Sequence, residues 1–84
     1  MNLLDVEMDN ARNNLINALK AQVIDIKQIH NAFDALVDVF VIDNEDDFLD
    51  EVLLASKCAG FKDGGDDERW IWNDAMGWWE DNHA

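Results

Sequence analysis

No proline occurs anywhere in the chain, and three of its four glycines lie between Gly60 and Gly65. Proline and glycine are the residues that most reliably stop or turn a chain. A sequence nearly free of them outside one stretch is committed to long helices with few breaks. That stretch, "FKDGGDD" after Gly60, is the one clear loop.

Periodicity supports the same reading. Leu4, Met8, Ala11, Leu15, Ala18 and Gln22 fall on one face of a first helix, with Leu19 beside them and Asn10, Asn13, Asn14 and Asn17 opposite. Asparagine is a mediocre helix former, so packing rather than propensity must hold this segment. A second helix opens at Asp25 as N-cap, with Gln28 completing a capping box, and buries Ile26, Ile29, Phe33, Leu36, Val37 and Phe40. A third starts near Asp43 or Asn44, carries Phe48, Leu49, Val52, Leu53 and Ala59 on one side, and stops at Gly60. The fourth begins at Asp66 or Asp67, holds the tryptophans and gives way to a polar tail, "EDNHA". Residues 1–84 thus read as a single acidic helical domain, an all-α antiparallel bundle of about four helices. The alternation in Val37–Ile42 leaves open an α+β fold with one short strand.

Charge limits the partners. Nineteen acids face six bases, a net charge of −13, which repels nucleic acids and anionic membranes and attracts basic surfaces. Six of the nine residues from Asp43 to Glu51 are acidic: Asp43, Glu45, Asp46, Asp47, Asp50 and Glu51. Acids in a first helical turn favour the helix dipole and cap free N–H groups, which accounts for Asp43, Glu45, Asp46, Asp66 and Asp67. It does not account for Asp34 with Asp38, Asp46 with Asp50, or Asp47 with Glu51. Each is a like-charge pair at i, i+4 that costs an isolated helix about 0.2–0.5 kcal/mol. Opposite-charge pairs at useful spacing are Asp9 with Arg12 and Asp66 with Arg69. Rule-breaking of this kind marks a surface selected for something other than stability.

Carboxylates at i, i+4 stand about 5–6 Å apart, of the same order as phosphates advancing about 3.4 Å along a nucleic-acid strand. In size and acidity the chain resembles the small DNA-mimic inhibitors that phages and mobile elements use against restriction and CRISPR enzymes. That resemblance lies in bulk properties and not in a motif. It implies a non-enzymatic inhibitor that occupies the basic nucleic-acid-binding surface of an enzyme such as a CRISPR effector, restriction enzyme or other nuclease. Asp34, Asp38, the Asp43–Glu51 acids, Asp66 and Asp67 would supply charge. Leu54, an apolar knob in the acidic face, and Trp70 would supply anchoring. Two other readings share the acidity or the tryptophans: an immunity protein or antitoxin neutralising a basic toxin, and an accessory subunit or assembly factor.

All four tryptophans lie in "RWIWNDAMGWW", Arg69 to Trp79. Ile71, Trp72, Ala75, Met76, Trp78 and Trp79 share one apolar arc that closes the core. Trp70 projects the other way, either packed back on Phe61 or exposed as a binding anchor.

Catalytic and metal motifs are lacking. Calcium loops starting at Asp43 or Asp63 fail because Phe48 and Glu68 stand where glycine is required. His30 and His83 are far apart, and Cys58 reads as a small buried or boundary residue. No enzyme activity and no cofactor are expected. One cysteine cannot form an internal disulfide, and the segment after Met1 has no basic leader or long apolar run. The expected setting is therefore cytoplasmic, that of a bacterial host if the chain is phage-encoded. The expected partner is a basic protein rather than nucleic acid or membrane, bound by a monomer or homodimer.

Self-repulsion at this charge gives a direct expectation. The melting temperature should rise between about 5 and 150 mM salt as screening shortens from tens of ångströms to about 8 Å. A flat or falling trend in thermal denaturation would mean the charges are already matched by geometry.

Overall fold

Residues 3–83 are described by a computed structural model of the chain. They form α1 (Leu3–Lys20), α2 (Ile26–Phe40), α3 (Glu45–Cys58) and α4 (Asp66–His83), with no strand among the described residues. The short connections make successive helices antiparallel. α1 packs on α2 and α3, and α3 packs on α4.

Each helix begins and ends for a local reason. The Asp25 carboxylate accepts from the N–H groups of Lys27 at 3.0 Å and Gln28 at 3.4 Å, so α2 is capped as expected. No return bond from the Gln28 side chain completes the box among the described residues. Asn44 caps α3 by accepting from the Asp47 N–H at 2.9 Å. At the far end of α3, Phe61 N–H donates to the Ser56 carbonyl and Gly60 N–H to that of Lys57, with Gly60 at φ +92. This paired closure normally takes glycine at the left-handed position.

α2 closes in the same way without a glycine. Ile42 N–H donates to the Val37 carbonyl and Val41 N–H to that of Asp38, and Val41 takes φ 52. The alternating segment Val37–Ile42 is therefore helical through Phe40 and then turns left-handed. It is not a strand, because Val37 and Phe40 both pack on the core.

That core is built from the predicted stripes. Leu15, Ile29, Phe33, Leu36, Phe48, Val52 and Ile71 are fully buried, with Trp78 and Trp79 nearly so. Phe48 meets Phe33, Trp78 and Trp79, each at 5.2 Å between ring centres, and Phe33 meets Trp78 at 5.4 Å. Buried Ser56 satisfies its hydroxyl by donating to the Leu53 carbonyl at 2.7 Å.

The stripes run out at their ends. Leu4 is 48% and Ile26 42% exposed, and α1 stops at Lys20, leaving Gln22 outside it. Trp72 and Met76 are half-buried at the edge of the tryptophan arc. The expected polar tail is helical through His83. Asn82 donates to the Trp78 carbonyl at 2.8 Å, and His83 Nδ1 lies 3.2 Å from that of Trp79 with its ring stacked 3.7 Å from the Trp79 ring. Cys58 is exposed rather than buried, standing at the last position of α3.

Val41 is 83% exposed and pays the left-handed penalty with a β-branched side chain. Val41→Gly should therefore raise unfolding stability by about 1 kcal/mol in urea denaturation. Val41→Ala, which keeps Cβ, should give no comparable gain.

Candidate partner-binding surface

The charges separate along the bundle. The α1–α2 and α3–α4 connections share one pole, where Lys20, Lys27, Lys57, Lys62 and Arg69 all lie. The other pole holds the start of α1, the α2–α3 connection and the end of α4. Asp5, Glu7, Asp38, Asp43, Asp46, Asp47, Glu80 and Asp81 crowd there without a lysine. Among the described residues the ion pairs are Arg12–Glu51, His30–Asp74, Lys57–Asp63 and Arg69–Asp66. Most carboxylates therefore have no cation near them.

Arg12 is the one arginine or lysine on the acidic side. Its Nε and Nη2 donate to the two Glu51 oxygens, each at 3.2 Å, and its guanidinium sits 4.7 Å from the centre of the Phe40 ring. The hydrogen bond to Glu51 raises its pKa above the ordinary arginine value, with the charges of Glu51, Asp9 and Cys58 adding to it and burial opposing. The sequence pairing of Arg12 with Asp9 is thus replaced by a contact across 39 residues. Only the packing of α1 on α3 creates it.

The acids of the α2–α3 corner are held in place. The Asn44 amide donates to Asp43 at 3.0 Å and to Asp47 at 2.9 Å, tying two like charges together while its carbonyl caps the helix. Asp46, Asp47 and Asp50 are exposed, and Glu45 is half-buried. Asp50 has no hydrogen bond or ion pair among the described residues. Asp34 and Asp38 are exposed on α2, and Asp38 stands in its last turn, where the helix dipole disfavours a negative charge.

Two grooves flank the Arg12–Glu51 pair. One, of ≈ 260 Å³, is lined by Phe40, Ile42, Asp47, Asp50 and Glu51. The other, of ≈ 170 Å³, is lined by Arg12, Ile16, Glu51, Leu54, Ala55 and Cys58. Leu54, 48% exposed, therefore does stand beside the acidic face. Phe40, Ile42 and Ile16 were assigned to the core or passed over in the sequence, yet they line the grooves.

The remaining predicted residues lie elsewhere. Asp66 and Asp67 are exposed at the opposite pole and do not join this surface. Trp70 is half-buried and packs back on Phe61, 6.4 Å between ring centres, and so is not a free anchor. Beside it runs a ≈ 360 Å³ groove lined by Leu53, Gly64, Gly65, Glu68, Arg69 and Trp72. There one Glu68 oxygen accepts from Gly64 N–H at 3.2 Å and the other is buried without a partner.

Metal and membrane chemistry leave no mark on this surface. No group of three or more His, Cys, Asp or Glu among the described residues is placed to hold a metal ion. No described helix is long and apolar enough to cross a membrane. No protein family, characterised protein or solved structure matches the chain.

The Arg12–Glu51 fork should couple more strongly than an ordinary exposed pair, because it is bidentate and backed by an aromatic ring. A double-mutant cycle of Arg12→Gln and Glu51→Gln should return about 1 kcal/mol, the upper end for partly exposed pairs. A coupling near zero would mean that Arg12 contributes through its aliphatic stem alone.

Proposed function

We propose that the chain is a non-enzymatic inhibitor whose acidic pole occupies the basic nucleic-acid-binding surface of an enzyme such as a CRISPR effector, restriction enzyme or other nuclease. One observation carries this reading. Asp43, Asp46, Asp47 and Asp50 stand together at the α2–α3 corner with no ion pair to a cation among the described residues, and an exposed apolar residue, Leu54, follows them on α3. A surface kept only for solubility would intersperse its signs. Here the available bases are gathered at the far pole instead.

The acids supply charge complementarity, and Leu54 with its groove supplies a small apolar contact of the kind that anchors an interface centre. A nucleic-acid enzyme offers the matching geometry: lysines and arginines spaced to meet phosphates. The accessory-subunit reading draws less support, because Trp78 and Trp79 are used within this chain's own core. The immunity-protein reading uses the same acidic pole and differs in the partner, which would not be a competitor of DNA or RNA.

A pulldown from bacterial lysate, washed at low and then high salt, tests the proposal. The expected result is a nucleic-acid enzyme that is released by salt and displaced by its own DNA or RNA. Combined Asp46→Asn, Asp47→Asn and Asp50→Asn should weaken binding about 10-fold, taking about 0.5 kcal/mol per exposed charge. Binding that survives both high salt and the triple substitution would overturn the reading. Glu51 is left intact in this variant, since its change would also release Arg12.

A further inference from the structure

The groove beside Phe40 is lined by two apolar residues, Phe40 and Ile42, and three acidic ones, Asp47, Asp50 and Glu51. We infer that this groove is a socket for an arginine side chain of the basic partner, with its stem on Ile42 and its guanidinium between Phe40 and the Asp47 and Asp50 carboxylates. The inference rests on the reading of the acidic pole as a partner-binding surface, and it names what the centre of that surface recognises.

The chain itself shows the chemistry. Phe40 and Glu51, two of the groove's own lining residues, already hold a guanidinium, that of Arg12, by ring contact at 4.7 Å and a two-pronged hydrogen bond. Arg12 neutralises Glu51, so the charge on the groove side comes from Asp47 and Asp50. Asp47 is fixed by Asn44 and keeps a second oxygen free of described hydrogen bonds, and Asp50 has no partner. Two carboxylates with unused acceptors, an aromatic ring and a volume of ≈ 260 Å³ fit one long cationic side chain.

Arginine fits better than lysine. Its planar guanidinium is weakly hydrated and lies flat on a ring, and its fork of donors can reach two carboxylates at once. A lysine ammonium is more strongly hydrated and acts as a point charge. It would gain the electrostatic attraction but little from Phe40. No lysine or arginine other than Arg12 lies at this pole, so no second lysine or arginine among the described residues competes for the groove.

The test uses the whole protein and two neutral-capped peptides, acetyl-Gly-Arg-Gly-amide and acetyl-Gly-Lys-Gly-amide, titrated at low salt and followed by amide NMR. The socket predicts saturable shifts centred on Phe40, Ile42, Asp47 and Asp50, with the arginine peptide binding at least about 3-fold tighter than the lysine peptide. Asp50→Asn should weaken the arginine peptide by about 3-fold or more, whereas Asp67→Asn, which removes the same charge at the other pole, should leave it unchanged. Equal affinity for the two peptides, shifts spread over acids at both poles, or equal effects of the two substitutions would overturn the socket. The broader proposal of a charge-driven inhibitor would survive that result. Conversely, arginine-specific binding in the groove with no nucleic-acid enzyme in the pulldown would remove the enzyme target and leave the socket standing.

Discussion

Four rings carry the burden of keeping this chain folded. Phe33 from α2, Phe48 from α3 and Trp78 and Trp79 from α4 meet at 5.2–5.4 Å in edge-on and offset contacts. Each such contact adds about 0.5–1.5 kcal/mol to the burial of its area. The opposing force is the repulsion of a −13 chain. Phe48 stands in the first turn of α3 and Trp78 and Trp79 near the end of α4, so the cohesion is concentrated towards the acidic end of the bundle. That packing lets the same end hold carboxylates that an isolated helix would not choose for itself.

The acidic corner shows how the two demands meet. The N-terminal turn of α3 welcomes Glu45, Asp46 and Asp47 through its dipole and free N–H groups, and Asn44 restrains Asp43 and Asp47 by direct hydrogen bonds. Asp38 and Asp50 receive no such support. Val41 adds a backbone cost of its own between Phe40 and Ile42, two residues that line the groove. Local strain and unsupported charge coincide in one corner, which is where a surface shaped by a partner would keep them.

Most of the fold was legible because helical periodicity, caps and turn residues are local signals. Asp25, Asn44 and Gly60 act as their residue types predict, and the heart of each stripe is buried. The ends of the stripes misled, since Leu4 and Ile26 continue the pattern yet remain 48% and 42% exposed. Asn82 and His83 read as a polar tail, yet they are helical and their side chains reach back to the carbonyls of Trp78 and Trp79. The candidate surface was only half legible. Its acids are plain in the sequence, but its apolar lining, Phe40 and Ile42, and its internal cation, Arg12, depend on which helices lie side by side. The gathering of five of the six bases at one end, which leaves the other end to acids, is equally a product of topology: the bases are scattered along the chain and come together only when it folds back on itself.

That separation makes the molecule an electric dipole along the bundle axis. The backbone contributes little, because the macrodipoles of antiparallel neighbours cancel. Side chains alone decide which end is negative. In the field of a large basic surface such a body experiences a torque as well as an attraction, and it turns its α2–α3 corner forward before any contact is made. Docking two specific patches ordinarily wastes most collisions on the wrong alignment, holding association well below the diffusion limit. A molecule that arrives already turned wastes fewer. On the proposed reading, Lys20, Lys27 and Lys62 at the rear would then belong to the binding device as much as the aspartates in front.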